Sequence, residues 1–342
     1  MIISRTPFRI SFFGGGTDYE PWFREHGGAV LSTTIDKYCY LTCRFLPPFF
    51  DYKSRLVWSE IECVADRREI RHPVIRTVLE LLQIEDGVDI HHNADLPARA
   101  GLGSSSSFTN GMLLAAEALL GKMICKRELA ELAIYVEQKM LGETVGVQDQ
   151  IATAYGGLNK ILIERDGSFS VEPVIAPKPR IQRFQEYLML CFTGLSRNAS
   201  EIAAEQIASI GKKQSELHAI RALVDEGERI LSGNGELEEF GRLLHETWQL
   251  KRGLSARIAP ALVDEVYEKA RRAGAVGGKL LGAGGGGFML FFVPPERRPR
   301  VLAALDGLVH VSFAFETGGS RLIHYDAPSR SPAERAATAV AC

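Results

Sequence analysis

The residues with the most chemical content are Gly101-Leu102-Gly103-Ser104-Ser105-Ser106, preceded by Pro97 and followed by a helical pattern from Phe108 to Leu120. Glycines let main-chain N–H groups converge without Cβ interference, and the first turn of a helix leaves N–H donors unpaired. Together with the positive end of the helix dipole, such a junction suits a polyphosphate. The serines can cap the helix, and one hydroxyl, assigned to Ser105, can reach a magnesium ion. The competing reading is a serine-rich turn with an ordinary N-cap.

Two acids complete this chemistry. Glu137 lies in a second helical pattern, Lys126 to Leu141, and Asp149 in Gly146-Val147-Gln148-Asp149-Gln150. Alone, each would most often be an exposed surface acid. A further glycine cluster, Gly14-Gly15-Gly16, ends a strand-like run from Pro7 to Phe13. Asp18 beyond it can accept hydrogen bonds from ligand hydroxyls, with Arg9 a cation nearby in sequence; the alternative is a tight turn with Asp18 as a cap. His91 and His92 lack partners at metal-ligand spacing, and alternating strand faces point them apart, so both read as structural.

Two familiar nucleotide motifs fail. Gly278-Lys279 is followed by Leu280 and has Ala273 where a Walker A loop needs glycine. Gly282 to Gly287 satisfies Gly-x-Gly-x-x-Gly, but the dinucleotide fingerprint requires strand, loop, then helix. Here the loop enters an apolar strand, Phe288 to Val293. It reads instead as a place where two backbones, or a ligand, approach closely. A phosphate cradle, a polar ligand site, a close-approach loop and two acids together suit phosphoryl transfer, which mostly requires positioning, charge neutralisation and an oriented nucleophile.

The elements that must position these residues alternate in type, giving a mixed α/β class. Strands are predicted over 7–13, 35–46, 88–92, 187–192, 288–293, 309–315 and 321–325, with short strand-like pieces over 55–60 and a hairpin around Asp166-Gly167. Helices are predicted over 74–82, 108–120, 126–141, 200–232, 236–251, 260–272 and 299–308. The Pro-rich stretch 173–179 marks a boundary, dividing the chain into 1–178, 179–326 and a loose tail, 327–342.

With 342 residues, two domains are the prior. Forty basic residues against 42 acidic ones give a net charge of −2, which supplies no bulk reason to expect nucleic acid or an anionic membrane. No apolar run approaches the roughly 20 residues needed to span a bilayer, and the N-terminus lacks signal-peptide order. Six cysteines without paired spacing fit reduced thiols rather than a zinc cage, so a cytoplasmic protein is expected.

Three segments carry a family resemblance that covers the chain to about residue 326. Pro97-x3-Gly101-Leu102-Gly103-Ser104-Ser105-Ser106, Lys279-Leu280-Leu281 with the glycines to 287, and Pro7-Phe8-Arg9 through Asp18-Tyr19 resemble, in order, the central, C-terminal and N-terminal motifs of the GHMP small-molecule kinases. The resemblance implies an N-terminal domain like domain 2 of ribosomal protein S5, with a left-handed β-α-β unit, and a ferredoxin-like α+β C-terminal domain, with the active site between. It implies ATP over Pro97 and residues 101–106, and Mg2+ at Ser105 and Glu137. It implies Asp149 as catalytic base assisted by Arg9, and sugar contacts from Gly15, Gly16, Thr17 and Asp18.

Galactokinases carry Glu-His where this chain has Gly15-Gly16. The Gly-Gly-Gly-Thr-Asp run resembles the heptose-phosphate kinase branch and, less closely, L-fucokinase domains. Residues 193–197 and 245–251 also resemble the heptose branch, which implies an anomeric-hydroxyl kinase acting on a sugar phosphate. Arg197, Lys251, Arg252 and Lys279 are the candidate cations for the substrate phosphate, and Gly284 and Gly285 candidate contacts. Rival readings are a fucose or hexose 1-kinase and a catalytically idle ATP and sugar sensor. Whether the chain forms a homodimer is left open.

Overall fold

The computed structural model describes residues 1–47, 49–195, 199–255 and 257–327. Among these residues the strands form two sheets. The larger contains β1 (Ile2–Phe13), β2 (Gly28–Phe45), β3 (Ser54–Val57), β4 (Ile61–Val64), β5 (Val88–Ala94), β6 (Leu158–Ile163) and β7 (Phe169–Pro173). The smaller contains β8 (Leu188–Phe192), β9 (Gly277–Leu280), β10 (Phe288–Phe292) and β11 (Val309–Val311), all antiparallel in the order β11-β8-β10-β9.

The chain then returns to the first sheet. Strand β12 (Phe315–Glu316) pairs with β2, and β13 (Arg321–Tyr325) pairs with β1. The two sheets therefore separate in sequence near residue 178 only as far as Val311. The expected tail, apart from Ala327, lies outside the described residues.

Strand β2 organises the larger sheet. β1 runs along one edge, while its other edge pairs with β6 over Gly28–Thr33 and with β5 over Cys39–Phe45. The helices are α1 (Glu20–His26), α2 (Pro73–Leu81), α3 (Ser104–Leu119), α4 (Lys126–Ile134), α5 (Gln148–Tyr155) and α6 (Lys178–Glu186). After β8 come α7 (Ala199–Ser209), α8 (Gln214–Ser232), α9 (Glu238–Arg252), α10 (Ala261–Ala273) and α11 (Arg298–Ala304).

Helix α3 begins four residues before the apolar periodicity, because its first turn is built from serines. The predicted helix over 126–141 is α-helical only to Ile134 and continues as a π-helical turn, Tyr135–Met140. The predicted helix over 200–232 is broken by a 3-10 turn at Ile210–Lys212. Helices α1, α5 and α6 and strand β9 went unrecognised. β9 is buried along its whole length but contains Gly277 and Gly278, which carry no apolar pattern.

The two halves are joined by aromatic packing. Phe12 and Phe13, adjacent at the end of β1, both contact Phe240 of α9 edge-on, at ring separations of 5.3 and 4.8 Å. Phe184 of α6 closes the cluster, 4.7 Å from Phe240. All four rings are fully buried, so the end of β1 is fixed in position by both halves of the molecule.

Candidate active site

Arg9 on β1 is the centre of the site. Its main-chain N–H donates to the Leu102 carbonyl at 2.9 Å, and its Nη1 donates to the Gly101 carbonyl at 2.7 Å. Its remaining fork makes two parallel bonds to Asp149, Nε to Oδ1 and Nη2 to Oδ2, each 2.7 Å. A bidentate guanidinium–carboxylate pair holds position and orientation together. The Arg9 side chain is 3% exposed and that of Asp149 26%, so the carboxylate alone reaches the solvent-facing side.

Helix α3 opens beside this pair. Its N-cap, Gly103, has φ of 74°, a left-handed conformation that favours glycine, and no side chain caps the first turn. A Cβ there would stand 3.0 Å from the Arg9 side chain. The helix is anchored from behind: Ser107 Oγ donates to the Pro7 and Gly103 carbonyls, and Asn110 Nδ2 donates to Gln150 O and Thr153 Oγ1 of α5. Ser104 Oγ accepts from the Arg99 N–H. The first-turn N–H groups thus face outward without a side-chain cap, as an anion site requires. Pro97 stands exposed at the loop's entry.

Glu137 is carried by the π-helical turn and is 1% exposed. Its Oε2 accepts from Ser106 Oγ at 3.0 Å and from Gln150 Nε2, while its buried Oε1 has no hydrogen-bond partner among the described residues. Burial pushes its carboxyl up to about 7. An acid with one oxygen oriented by donors and the other unmatched fits a hard cation. The serine that contacts Glu137 directly is Ser106; Ser105, expected to share Mg2+ with Glu137, is exposed at the same helix mouth, because successive helical residues point about 100° apart. No group of three or more His, Cys, Asp or Glu side chains that could hold a metal ion is found among the described residues.

Asp18 is buried, with Oδ1 accepting from the Gly16 N–H at 2.9 Å and Oδ2 from the Gln148 N–H at 3.3 Å. Desolvation, with a smaller contribution from Asp149, raises its carboxyl above the ordinary range. It ties the glycine turn to the start of α5. Thr17, expected as a sugar contact, has its hydroxyl enclosed between the Gly14 and Ala29 carbonyls and the Ala29 N–H. It is a packing residue.

The candidate cations divide. Lys279 Nζ donates to the Phe12 carbonyl at 2.8 Å, and Lys251 Nζ donates to the Leu280 and Gly282 carbonyls. Both are buried beside Arg9. Burial, then the charge of Arg9, pushes Lys251 down to about 8; burial, then Lys251 and Arg9, pushes Lys279 well below the usual lysine range. Arg252 does not belong to this group: it pairs with Asp264 of α10 at 3.0 Å. Arg197 lies outside the described residues.

Gly284 and Gly285 pack against Ile258, with the Gly285 N–H donating to its carbonyl at 2.9 Å. The close approach expected of this loop is observed at its two ends: a Cβ on Gly282 would stand 2.5 Å from Gly101 Cα and one on Gly287 closer still to the Ala100 carbonyl oxygen, which also accepts from the Phe288 N–H at 3.1 Å. His91 pairs with Asp89, and His92 packs edge-on against Phe108. Gln150 was missed, and Ser106 was expected only among the ATP contacts, not against Glu137; the only hint was the repeated polarity of Ser104–Ser107 and Gln148-Asp149-Gln150.

A profile of the "GHMP kinases N terminal domain" matches residues 70–157, and one of "GHMP kinases C terminal" matches residues 202–309. The chain belongs to the GHMP kinase family. This GHMP kinase is 26% identical over 315 residues to D-glycero-alpha-D-manno-heptose 7-phosphate kinase of Campylobacter jejuni, covering 89% of this chain and 93% of that protein. It is also 26% identical to the L-fucokinase/L-fucose-1-P guanylyltransferase of Bacteroides fragilis, covering 83% of this chain but 34% of that protein. Its fold superposes on the crystal structure of a D-glycero-D-manno-heptose 1-phosphate kinase from Bacteroides thetaiotaomicron with a TM-score of 0.79, at 24% identity, covering 96% and 100% of the two chains. The two-domain α+β architecture is that of the family. No helix among the described residues is long and apolar enough to cross a membrane.

Proposed function

We propose that this kinase transfers the γ-phosphate of ATP to the anomeric hydroxyl of D-glycero-D-manno-heptose 7-phosphate, giving the 1,7-bisphosphate. The observation that carries the chemistry is the Arg9–Asp149 fork, held 2.7 Å at both contacts beside the uncapped start of α3. The sugar is supported by the Campylobacter jejuni relative, whose match spans nearly both chains, and by two lysines buried beside Arg9 that, when protonated, suit a substrate already bearing a phosphate.

In this reading the N–H groups of Ser104 to Ser106 take the triphosphate oxygens, and Gly101 and Leu102 are held in place by Arg9. Asp149, oriented by the same arginine, accepts the proton of the sugar hydroxyl as that oxygen attacks. Glu137 Oε1 would hold Mg2+, with Ser105 on the open side of the helix mouth. When bound, the ion neutralises charge on the phosphates. Lys251 and Lys279 are the candidates for the substrate's own phosphate. The other expected sugar contacts, Gly15, Gly16 and Asp18, line the turn next to Gln148.

The test is ATP consumption measured with heptose 7-phosphate, L-fucose, galactose and mannose, followed by phosphorus NMR of each product. A new phosphate on the anomeric carbon of the heptose supports the assignment. Preference for an unphosphorylated sugar, or transfer to another hydroxyl, overturns the substrate; ATP consumption with none of them overturns the kinase reading for this substrate class.

A further inference from the structure

The described residues contain a polar notch that the proposed chemistry leaves unused. Ser11, near the end of β1, is 5% exposed, and its hydroxyl has no hydrogen-bond partner among the described residues. Gln148, the first residue of α5, likewise has a buried Oε1 without a partner among them. Leaving such groups unmatched in the interior costs stability. Buried polar groups are ordinarily paired, so an exception invites a missing partner.

Ser11 Oγ and the amide Nε2 of Gln148 border one small space. A Cβ built on Gly15 would lie 3.7 Å from Gln148 Nε2 and 3.8 Å from Ser11 Oγ, with no other heavy atom of its surroundings within 4 Å. Gly15 itself is partly exposed, so this methyl-sized space opens outward. Its walls belong to the site already described. Phe12, next to Ser11, accepts from Lys279; Asp149 follows Gln148; and the Gln148 N–H donates to Asp18.

We propose that Ser11 and Gln148 are specificity-determining residues that together bind one hydroxyl group of the sugar in the notch above Gly15. The chemistry of the pair defines the ligand group. Gln148 Nε2, the amide atom on this space, can only donate, whereas Ser11 Oγ can accept as well as donate. A group that accepts from the first and donates to the second is a hydroxyl. A methyl group or a deoxy carbon leaves both unmatched. A site built to hydrogen-bond a hydroxyl rejects analogues lacking it, because its own buried groups are then unpaired. The inference rests on the sugar-kinase reading and adds to it a means of discrimination on the acceptor side.

Three variants test it: Ser11→Ala, Gln148→Met and Gly15→Ala. The first two remove an unmatched buried polar atom, so the melting temperature of the free protein should hold or rise; a structural role for either would lower it. The third adds a methyl at ordinary contact distance and should also fold. Each is expected to raise KM for heptose 7-phosphate about tenfold, with KM for ATP unchanged within twofold. Among mono-deoxy analogues of the sugar, one should be about tenfold poorer with wild type yet suffer no further loss in Ser11→Ala or Gln148→Met, as coupled partners require.

Sugar-induced shifts in melting temperature, with ATP absent, separate the two readings. If wild type is stabilised by the sugar phosphate and the variants are not, but no phosphate is transferred, the notch stands and the kinase reading falls. If wild type turns over and the variants keep its acceptor KM within twofold, the notch is overturned. No sugar-dependent shift and no turnover overturns both.

Discussion

Gly101 and Gly282 meet main chain to main chain: a Cβ on Gly282 would stand 2.5 Å from the Gly101 Cα. One glycine belongs to the phosphate loop and the other to the loop after β9, so this contact joins the two halves of the molecule at the active site. Lys251 holds the Gly282 carbonyl from one side, and Arg9 holds the Gly101 carbonyl from the other. Replacing Gly282 by alanine must push the loops apart, and its φ of 75° adds backbone strain. Gly282→Ala should lower the melting temperature and raise KM for ATP roughly tenfold or more. Calorimetry and steady-state kinetics check both; an unchanged KM would show that the contact does not position the phosphate loop.

Asp149→Asn keeps the shape of the carboxyl group but removes the proton acceptor and one half of the charged fork. A general base typically contributes 10²–10⁴-fold, so kcat should fall by roughly 10³. Nucleotide affinity, measured by titration calorimetry, should change little, because in the proposed site the phosphates meet main-chain groups of α3 and not Asp149. Near-normal turnover would remove Asp149 as the base.

Glu137 links metal to pH. Its buried carboxyl, raised to about 7, must lose its proton to take a cation. Apparent magnesium affinity should therefore fall nearly tenfold for each pH unit below about 7 and level off above it. In Glu137→Gln the magnesium requirement should rise at least roughly tenfold and lose this pH dependence. In the absence of metal the sign reverses. Burial favours the protonated form, so its contribution to stability is complete below the ordinary 4.5 and lost as pH rises through about 7. Thermal unfolding in chelator across that window, for wild type and Glu137→Gln, measures the difference.

Lys279→Met tests the nature of the acceptor. An apolar side chain of similar length relieves the desolvation of the buried amine but removes the donor to the Phe12 carbonyl, so the net change in stability should be small. If Lys279 receives the substrate's phosphate, KM for the sugar phosphate should rise roughly 10–100-fold, in line with a charge-assisted bond. The unphosphorylated sugar should be handled as before. Equal effects on both would place Lys279 away from that phosphate.

Much of the site was legible in the chain because its elements are local. The run Gly101 to Ser106 dictates an open helix start whatever surrounds it, since missing Cβ atoms and unpaired first-turn N–H groups are properties of adjacent residues. Apolar runs and helical periodicity likewise placed β5, β8, β10, α9 and α10 within two residues at each end, and of β1 the part from Pro7 to Phe13. The order of the glycine motifs was enough to place the chain among the GHMP kinases.

Only the tertiary structure could decide which partners these groups face. Arg9 and Asp149 lie far apart in sequence, and nothing local says that both prongs of the fork close on one carboxylate. Ser106 rather than Ser105 meets Glu137 because the π-helical turn and α3 must pack in one register, and a one-residue difference rotates a helical side chain by about 100°. Thr17 and Arg252 carry suitable chemistry, yet packing encloses the first and pairs the second with Asp264. Residue type and spacing determine what a group is able to do; burial and distance, which arise only when distant segments share one core, determine which of those abilities remain free.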